Sequence, residues 1–295
     1  MRSLSAGQAI DQNYESQYNL RVRHPERGQI YTRYAQASEL TRQRPEARLD
    51  LRFGDKPSST LDLFVPRSNE APPLLIFIHG GYWRALDKHG FSFVADAYLE
   101  SGIAVALPNY TLAPLAGVRE IVQEVCSSLS WLVAHGEELG YDAGRIVVSG
   151  HSAGGHMAAA AARRGNVPEL EGRLLGYVGL SSLFDLAPLL STSVNLDLGM
   201  THEDAEALRL YGRRDLYQVP MLLASGELET QGFQSQSANF AQFCAGCGLQ
   251  VENLVIPGRN HFDILTDFAE AGYPLFDKTL ALLTRAMPGA DPQEA

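Results

Sequence analysis

Short runs of apolar, often β-branched residues recur along the chain and predict buried strands. They occupy residues 74–78, 103–107, 146–149, 176–180, 221–225 and 251–256, and each has the length of a strand rather than of a helix. Helices are predicted over residues 91–99 and 118–135, with a closing helix over residues 274–285. Strands that alternate with helices in this way predict an α/β fold with a mostly parallel sheet and helices on both faces.

Two stretches depart from this alternation. Residues 1–48 are polar and rich in arginine, and they predict an N-terminal helical extension whose main helix covers residues 26–43. Residues 183–219 are too long for a tight loop and contain a helix start of the capping-box type at Thr201. We interpret this second stretch as a small cap insertion over the sheet edge, where it would shape the choice of substrate.

The main domain is predicted to span residues 49–286. It opens with two strands, at residues 49–53 and 61–65, whose connection has the composition of a hairpin turn. Residues 287–295 are predicted to form a flexible tail. The sequence leaves open whether the N-terminal extension closes over a functional site.

The composition excludes several classes of protein. A formal net charge of −10 disfavours binding to nucleic acid or to an anionic membrane. No apolar stretch approaches the length of a membrane span, and the N-terminus has no apolar signal core, so we expect a cytoplasmic protein. Three cysteines rule out a disulfide framework. Cys244 and Cys247 form a lone C-x-x-C pair, which we interpret as a helix end rather than a redox or metal site.

A candidate nucleophile lies at residues 150–154, Gly-His-Ser-Ala-Gly, between a predicted strand and a run of helix-forming alanines. A strand, a sharp turn centred on serine and a helix together form a nucleophile elbow. The small residues Gly150 and Gly154 let the strand and the helix pass close together, and the helix N-terminus directs free N–H groups at a reacting carbonyl. The pattern therefore predicts Ser152 as a catalytic nucleophile.

A serine hydroxyl needs a general base, and the base needs an orienting acid. His261 follows the last predicted strand and is the predicted base. His156 is its rival, but it lies one helical turn after Ser152 and should lean along its own helix. The acid should follow the strand that ends at residue 225, where the candidates are Glu229, which we prefer, and Glu227. Asp185, which follows the preceding strand, is the third candidate. The histidines expected to be exposed are His24, His89, His135 and His202.

The oxyanion donors are predicted to be backbone amides. One belongs to Ala153, and the others to the loop at residues 79–83, His-Gly-Gly-Tyr-Trp, where two glycines let the backbone turn its N–H groups toward the serine. His79 is expected to brace this loop. The aromatic residues Tyr82 and Trp83 indicate a flat or aromatic substrate, although core packing is the alternative for Trp83.

These motifs resemble the kynurenine formamidase (arylformamidase) branch of the α/β-hydrolases, close to the hormone-sensitive-lipase-like esterases. The resemblance covers residues 49–285 and rests on the H-G-G-x-W motif and on residues 110–114, 150–156 and 260–263. It implies the α/β-hydrolase fold, with Ser152 as nucleophile, His261 as base and an oxyanion hole made by Gly81, Tyr82 and Ala153. The family's acid is usually an aspartate in a G-E-x-D segment, and here Glu229 holds that place. The residues that we expect to contact substrate are Gly80, Tyr82, Trp83 and His151.

The leading functional hypothesis is a serine hydrolase that cleaves an N-formyl or short N-acyl arylamide, similar to N-formylkynurenine, through an acyl-serine intermediate. The alternative is a carboxylesterase acting on small esters, because both reactions pass through the same tetrahedral intermediate. A more remote alternative is a binding protein of the same fold without turnover. We expect a small aromatic amide or ester as substrate, no metal and no organic cofactor, and we leave open whether the chain forms a homodimer.

Overall fold

An eight-stranded sheet forms the centre of the computed structural model, which describes residues 9–68 and 70–285. The predicted tail at residues 287–295 lies outside the described residues. The strands are β1 (Ala47–Arg52), β2 (Thr60–Phe64), β3 (Pro73–Ile78), β4 (Ala104–Pro108), β5 (Asp142–His151), β6 (Leu174–Leu180), β7 (Met221–Gly226) and β8 (Val251–Ile256). Their spatial order is β1-β2-β4-β3-β5-β6-β7-β8. The β1–β2 and β2–β4 pairs are antiparallel and all other pairs are parallel, which confirms the predicted hairpin and the mostly parallel sheet.

The helices pack in two groups that cover the two faces of the sheet. They are α1 (Gln12–Tyr18), α2 (Leu20–Arg23), α3 (Arg27–Arg42), α4 (Ala95–Glu100), α5 (Val118–Leu139), α6 (Ala153–Ala161), α7 (Asn195–Leu198), α8 (His202–Leu208), α9 (Gln231–Gly246), α10 (Ile264–Ala269) and α11 (Pro274–Thr284). Helices α5 and α6 contact each other and β5, whereas α10 contacts α4 and α11, and α11 crosses β3, β5, β6 and β7. Within residues 9–68 and 70–285, no helix has both the length and the apolar character needed to cross a membrane.

The central strands are buried along their whole length. Every residue of β3, β4 and β6 is buried, as are the last six residues of β5. Parallel strands covered by helices on both faces need apolar side chains at successive positions, and this is why their sequences read as continuous apolar runs. The edge strands β1 and β8 are mostly exposed or half-buried.

The segment predicted as a helix over residues 91–99 is divided in the structure. It begins as a 3₁₀ turn, Lys88–Val94, and only then continues as the short α4. Lys88 is buried, and its Nζ lies 2.6 Å from carboxylate oxygens of both Asp50 and Asp62. These ion pairs hold the start of the segment against the β1–β2 hairpin, so tertiary contacts rather than helix propensity set its winding.

The N-terminal extension contains more structure than the sequence predicts. The predicted helix over residues 26–43 is confirmed as α3, but α1 and α2 precede it, and α1 packs on α9. The expectation that His24 is exposed is wrong, because it is buried with its ring edge-on to Phe262. The segment predicted as a cap, residues 183–219, holds α7, α8 and a 3₁₀ turn, Ala187–Ser191. The division into extension, main domain and cap stays a prediction.

The junction between β5 and α6 is packed so closely that only glycine fits. A Cβ on Gly154 would lie 2.0 Å from the carbonyl oxygen of Ile78, and one on Gly150 would lie 2.4 Å from the backbone of Gly154. A Cβ on Gly155 would meet the side chain of Ser182 at 1.8 Å. The start of α6 therefore rests directly on the end of β3.

We predict that Gly154→Ala lowers the free energy of unfolding by about 3 kcal/mol, because the backbone of Ile78 must move to admit the methyl group. Denaturant unfolding measures the effect. The matched control is Gly246→Ala at the end of α9, where a Cβ has no neighbour within 4 Å. Equal stability of the two variants would contradict the packing described here.

Candidate active site

Ser152 forms a strained turn between β5 and α6. Its backbone has φ 56° and ψ −121°, which a residue with a side chain rarely adopts. Two backbone hydrogen bonds hold it there, since the Ser152 N–H donates to Leu180 O at 2.8 Å and its carbonyl accepts from the His156 N–H at 3.2 Å. Strain of this kind places a side chain at the carboxyl edge of the sheet, and Ser152 lines a cavity there.

His261 and Glu229 form a buried hydrogen-bonded pair in the loops after β8 and β7. The Nδ1–H of His261 donates to Glu229 Oε2 at 2.9 Å. The other carboxylate oxygen, Oε1, accepts from the Gly226 N–H at 2.7 Å and from the Ser181 hydroxyl at 2.5 Å. Because both oxygens of Glu229 are engaged, the carboxylate keeps one orientation and assigns the proton of His261 to Nδ1. The Nε2 of His261 is then left as an acceptor.

The other candidate acids and the rival base lie elsewhere. Glu227 is exposed and accepts from the Gly258 N–H at 2.8 Å, while Asp185 lies 3.5 Å from the guanidinium of Arg209. Of the three candidates, only Glu229 contacts His261. Burial lowers the pKa of His156 to about 4, and its Nε2–H donates to Leu208 O at 2.9 Å. His156 is therefore a neutral structural residue.

His151 contributes to the site through the backbone of His261. Its Nε2–H donates to His261 O at 2.7 Å, and the two rings lie 4.7 Å apart between centroids. Burial above all, with the neighbouring imidazole of His261 as a second cause, lowers the pKa of His151 well below its usual value, so the ring is neutral. Phe233 of α9 packs on the other side of the His261 ring, at 4.4 Å. Sequence reasoning missed Phe233, because nothing in its local pattern distinguishes it from an ordinary core residue.

The loop after β3 lies against the nucleophile turn. A Cβ on Gly80 would approach Ser152 Cβ to 3.1 Å. The loop continues through three positive φ angles, 117° at Gly81, 51° at Tyr82 and 54° at Trp83. Within the residues that the structure describes, the N–H groups of Gly81, Tyr82 and Ala153 donate no hydrogen bond. Amides left free beside a nucleophile can bind a developing oxyanion.

His79 braces this loop, as expected. Its Nε2–H donates to Asn109 Oδ1 at 3.1 Å, and the amide of Asn109 donates to Asp87 at 2.7 Å. The hydroxyl of Tyr110 donates to His79 O at 2.9 Å, and the two rings stack at 4.4 Å. Burial lowers the pKa of His79, so the brace is neutral.

A cavity of about 240 Å³ opens at Ser152. The residues that line it are Asn19, Leu20, Arg21, Arg27, Tyr31, Gly81, Tyr82, Arg84, Ala85, Leu86, His151, Ser152, Val194, His261 and Phe262. Trp83 is fully buried and Gly80 is buried, and neither lines the cavity. The structure therefore does not support the predicted contact of Trp83 with a substrate, because Trp83 is absent from the cavity lining. Trp83 instead packs edge-on against His156 at 5.4 Å.

The N-terminal extension supplies one wall of this cavity, which sequence reasoning left open. The hydroxyl of Tyr82 donates to Tyr18 O at 2.6 Å and so joins the loop after β3 to the end of α1. The side chain of Glu15 accepts from the Ser193 N–H at 2.7 Å and from Asn19 at 2.6 Å. The extension is therefore tied both to the loop beside Ser152 and to the segment after β6. In the described parts of the chain, no cluster of three or more His, Cys, Asp or Glu residues could hold a metal ion.

The sheet order and the strand–turn–helix at Ser152 are those of the α/β-hydrolase fold, and comparisons with known proteins agree. Residues 61–206 match the BD-FAE family. Kynurenine formamidase of Danio rerio is 28% identical over 262 residues, which are 84% of this chain and 86% of the relative. Esterase LipI of Mycobacterium tuberculosis is 34% identical over 171 residues, 56% of this chain and 52% of the relative. A crystal structure named as a “putative thioesterase” of Silicibacter sp. TM1040 has a TM-score of 0.78 and 31% identity, with 88% of this chain and 94% of that chain covered.

The chain is similar to kynurenine formamidases over most of its length, and its fold is that of the α/β-hydrolases. It is an enzyme of the hydrolase type.

We predict that Tyr82→Phe loosens the N-terminal wall, because it removes the hydrogen bond to Tyr18 O. The free energy of unfolding should fall by about 1 kcal/mol, and amide hydrogen exchange over residues 19–31 should become faster. The control is Tyr14→Phe, since Tyr14 is 43% exposed and its hydroxyl makes no hydrogen bond within the described chain. Unchanged exchange in Tyr82→Phe would contradict the link.

Proposed function

We propose that the protein is a serine hydrolase that cleaves an N-formyl or short N-acyl arylamide through an acyl-serine intermediate. One observation carries the proposal: Ser152 and His261, whose ring is hydrogen-bonded to Glu229, line the same small cavity beside three backbone N–H groups without acceptors in the described chain. A buried carboxylate bonded to Nδ1 of a histidine orients the ring and can stabilise its positive form. The order serine, acid, histidine along the chain agrees with this reading.

In the proposed reaction, Ser152 Oγ attacks the acyl carbon while its proton passes to Nε2 of His261. Glu229 holds the imidazole and stabilises its positive form. The oxyanion accepts hydrogen bonds from the N–H groups of Gly81, Tyr82 and Ala153. As the tetrahedral intermediate collapses, the C–N bond breaks and His261 returns its proton to the departing arylamine.

Water then attacks the acyl-serine by the same route. His261 takes a proton from the water, the new oxyanion uses the same three N–H groups, and the ester bond to Ser152 breaks. Formate or a short carboxylate leaves, and the proton returns to the serine oxygen. An arylamine leaves more readily than an alkylamine, so a site of the esterase type can cleave this kind of amide.

The substrate class rests on two supports. The relatives named kynurenine formamidase align over most of the chain, and the cavity of about 240 Å³ has an apolar side formed by Leu20, Leu86 and Phe262 that suits a small aromatic group. The second candidate is a carboxylesterase of small esters, which the 34% identity with Esterase LipI favours. A cytoplasmic location and a homodimer stay predictions.

We predict that the purified protein cleaves N-formylkynurenine with a much higher kcat/KM than 4-nitrophenyl acetate, and that Ser152→Ala lowers kcat on both by at least about 10⁴-fold. Steady-state rates measure both effects. A preference for the ester, with the formamide barely cleaved, would favour the carboxylesterase. Full activity of Ser152→Ala would overturn the serine mechanism.

We predict that Glu229→Gln lowers kcat by about 10³- to 10⁴-fold with little change in KM, because the neutral amide no longer stabilises the imidazolium of His261. The matched control is Glu227→Gln, which removes an exposed carboxylate two residues away. It should keep near-normal kcat. A larger loss of kcat in Glu227→Gln than in Glu229→Gln would contradict this assignment and identify Glu227 as the acid.

A further inference from the structure

The outer part of the cavity is positively charged in a chain whose formal net charge is −10. Three arginines line it: Arg21 of α2, Arg27 of α3 and Arg84 after the loop that follows β3. Arg84 is already neutralised, because its guanidinium donates to Asp197. Arg21 and Arg27, by contrast, have no carboxylate within 4 Å anywhere in residues 9–68 and 70–285. The acidic groups closest to them in sequence are engaged, since Glu26 pairs with His24 and Glu15 with Ser193.

Arg27 is held in place by the turn between α2 and α3. Its Nη1 donates to Arg21 O at 2.6 Å and to His24 O at 3.0 Å. A guanidinium carries five N–H donors in a rigid fork, so Nε and Nη2 remain for a ligand. The side chain of Arg21 donates no hydrogen bond within the described chain. One guanidinium is therefore pre-oriented at the cavity, and a second is free to close on a ligand.

Tyr31 adds a neutral donor between these charges and the catalytic loop. It lies four residues after Arg27 on α3, so the two share one helix face. Its ring packs edge-on to Phe262, the residue after His261, at 5.8 Å. Burial raises the pKa of Tyr31 to about 12, against the opposing charges of Arg27 and Arg21. The hydroxyl therefore keeps its proton, and it has no acceptor among the described residues.

We propose that Arg21, Arg27 and the Tyr31 hydroxyl bind a carboxylate of the substrate, and so select acyl arylamides or esters that carry a negative charge at the end remote from the scissile bond. The two guanidinia and the hydroxyl supply only donors, which matches the acceptor-only chemistry of a carboxylate. The apolar side of the cavity holds the part of the substrate between this group and Ser152. The inference rests on the proposed function for the position of the reacting bond.

The test measures binding without turnover. Ser152→Ala protein is titrated calorimetrically with 4-(2-formamidophenyl)-4-oxobutanoate and with its neutral primary amide. We expect the carboxylate to bind about tenfold more tightly at low ionic strength, and the ratio to fall as salt is added. Arg21→Gln in the same background should remove most of this ratio, and Tyr31→Phe should reduce it. Equal binding of the two probes, or no measurable binding of either, overturns the proposal.

The matched control is Arg33→Gln, which removes an exposed positive charge from α3 away from the cavity lining. It should leave the binding ratio unchanged, and Arg21→Gln should leave the thermal midpoint unchanged. A ratio that survives Arg21→Gln, or that falls equally in Arg33→Gln, also overturns the proposal. Failure of the proposed function looks different: wild-type protein would leave the formamide intact while Ser152→Ala still bound the carboxylate selectively.

Discussion

The close contact between the start of α6 and the end of β3 is the constraint on which the site depends. The backbone of α6 at Gly154 lies so close to the carbonyl of Ile78 that no Cβ fits there, and the loop that follows β3 passes directly beside Ser152. Ser152 and the N–H groups of Gly81 and Tyr82 are thus placed by main-chain packing. Such placement needs no reorganisation during a reaction, which is the property that makes backbone donors effective.

A second close contact brings His261 to the same cavity. A Cβ on Gly226 would lie 2.2 Å from Arg259 O, so the end of β7 is packed against the loop that carries His261. Glutamate has one more methylene than aspartate. The carboxylate of Glu229 accepts hydrogen bonds both from the N–H of Gly226, in its own turn, and from the imidazole of His261. The ring of His151 and the ring of Phe233 then restrict His261 from two further directions. The orientation of the His261 ring is therefore fixed by several contacts, which suits its proposed role as general base.

The N-terminal extension forms part of the cavity lining. Tyr18 and Leu20 are buried, and Tyr82 bonds the backbone at Tyr18. The extension also brings Arg21 and Arg27 to the cavity. The rest of the chain is strongly acidic, and the arginine that it places in the lining, Arg84, is paired with Asp197. Arg21 and Arg27 thus come from a different part of the chain than Ser152, although all three line the same cavity.

The sequence by itself determined the sheet and the strand–turn–helix at Ser152, and it predicted the residues of the candidate site. Apolar runs of strand length and the Gly-His-Ser-Ala-Gly segment are local signals, because burial on both faces and a sharp turn each demand particular residues in succession. It could rank Glu229 above Glu227 and Asp185 but could not decide among them, since the contact with His261 joins residues 32 positions apart. The burial of Trp83 and His24, the role of His151 and the wall formed by the extension were likewise decided only by tertiary structure. Each depends on which distant segment packs against a side chain, and no local pattern records that.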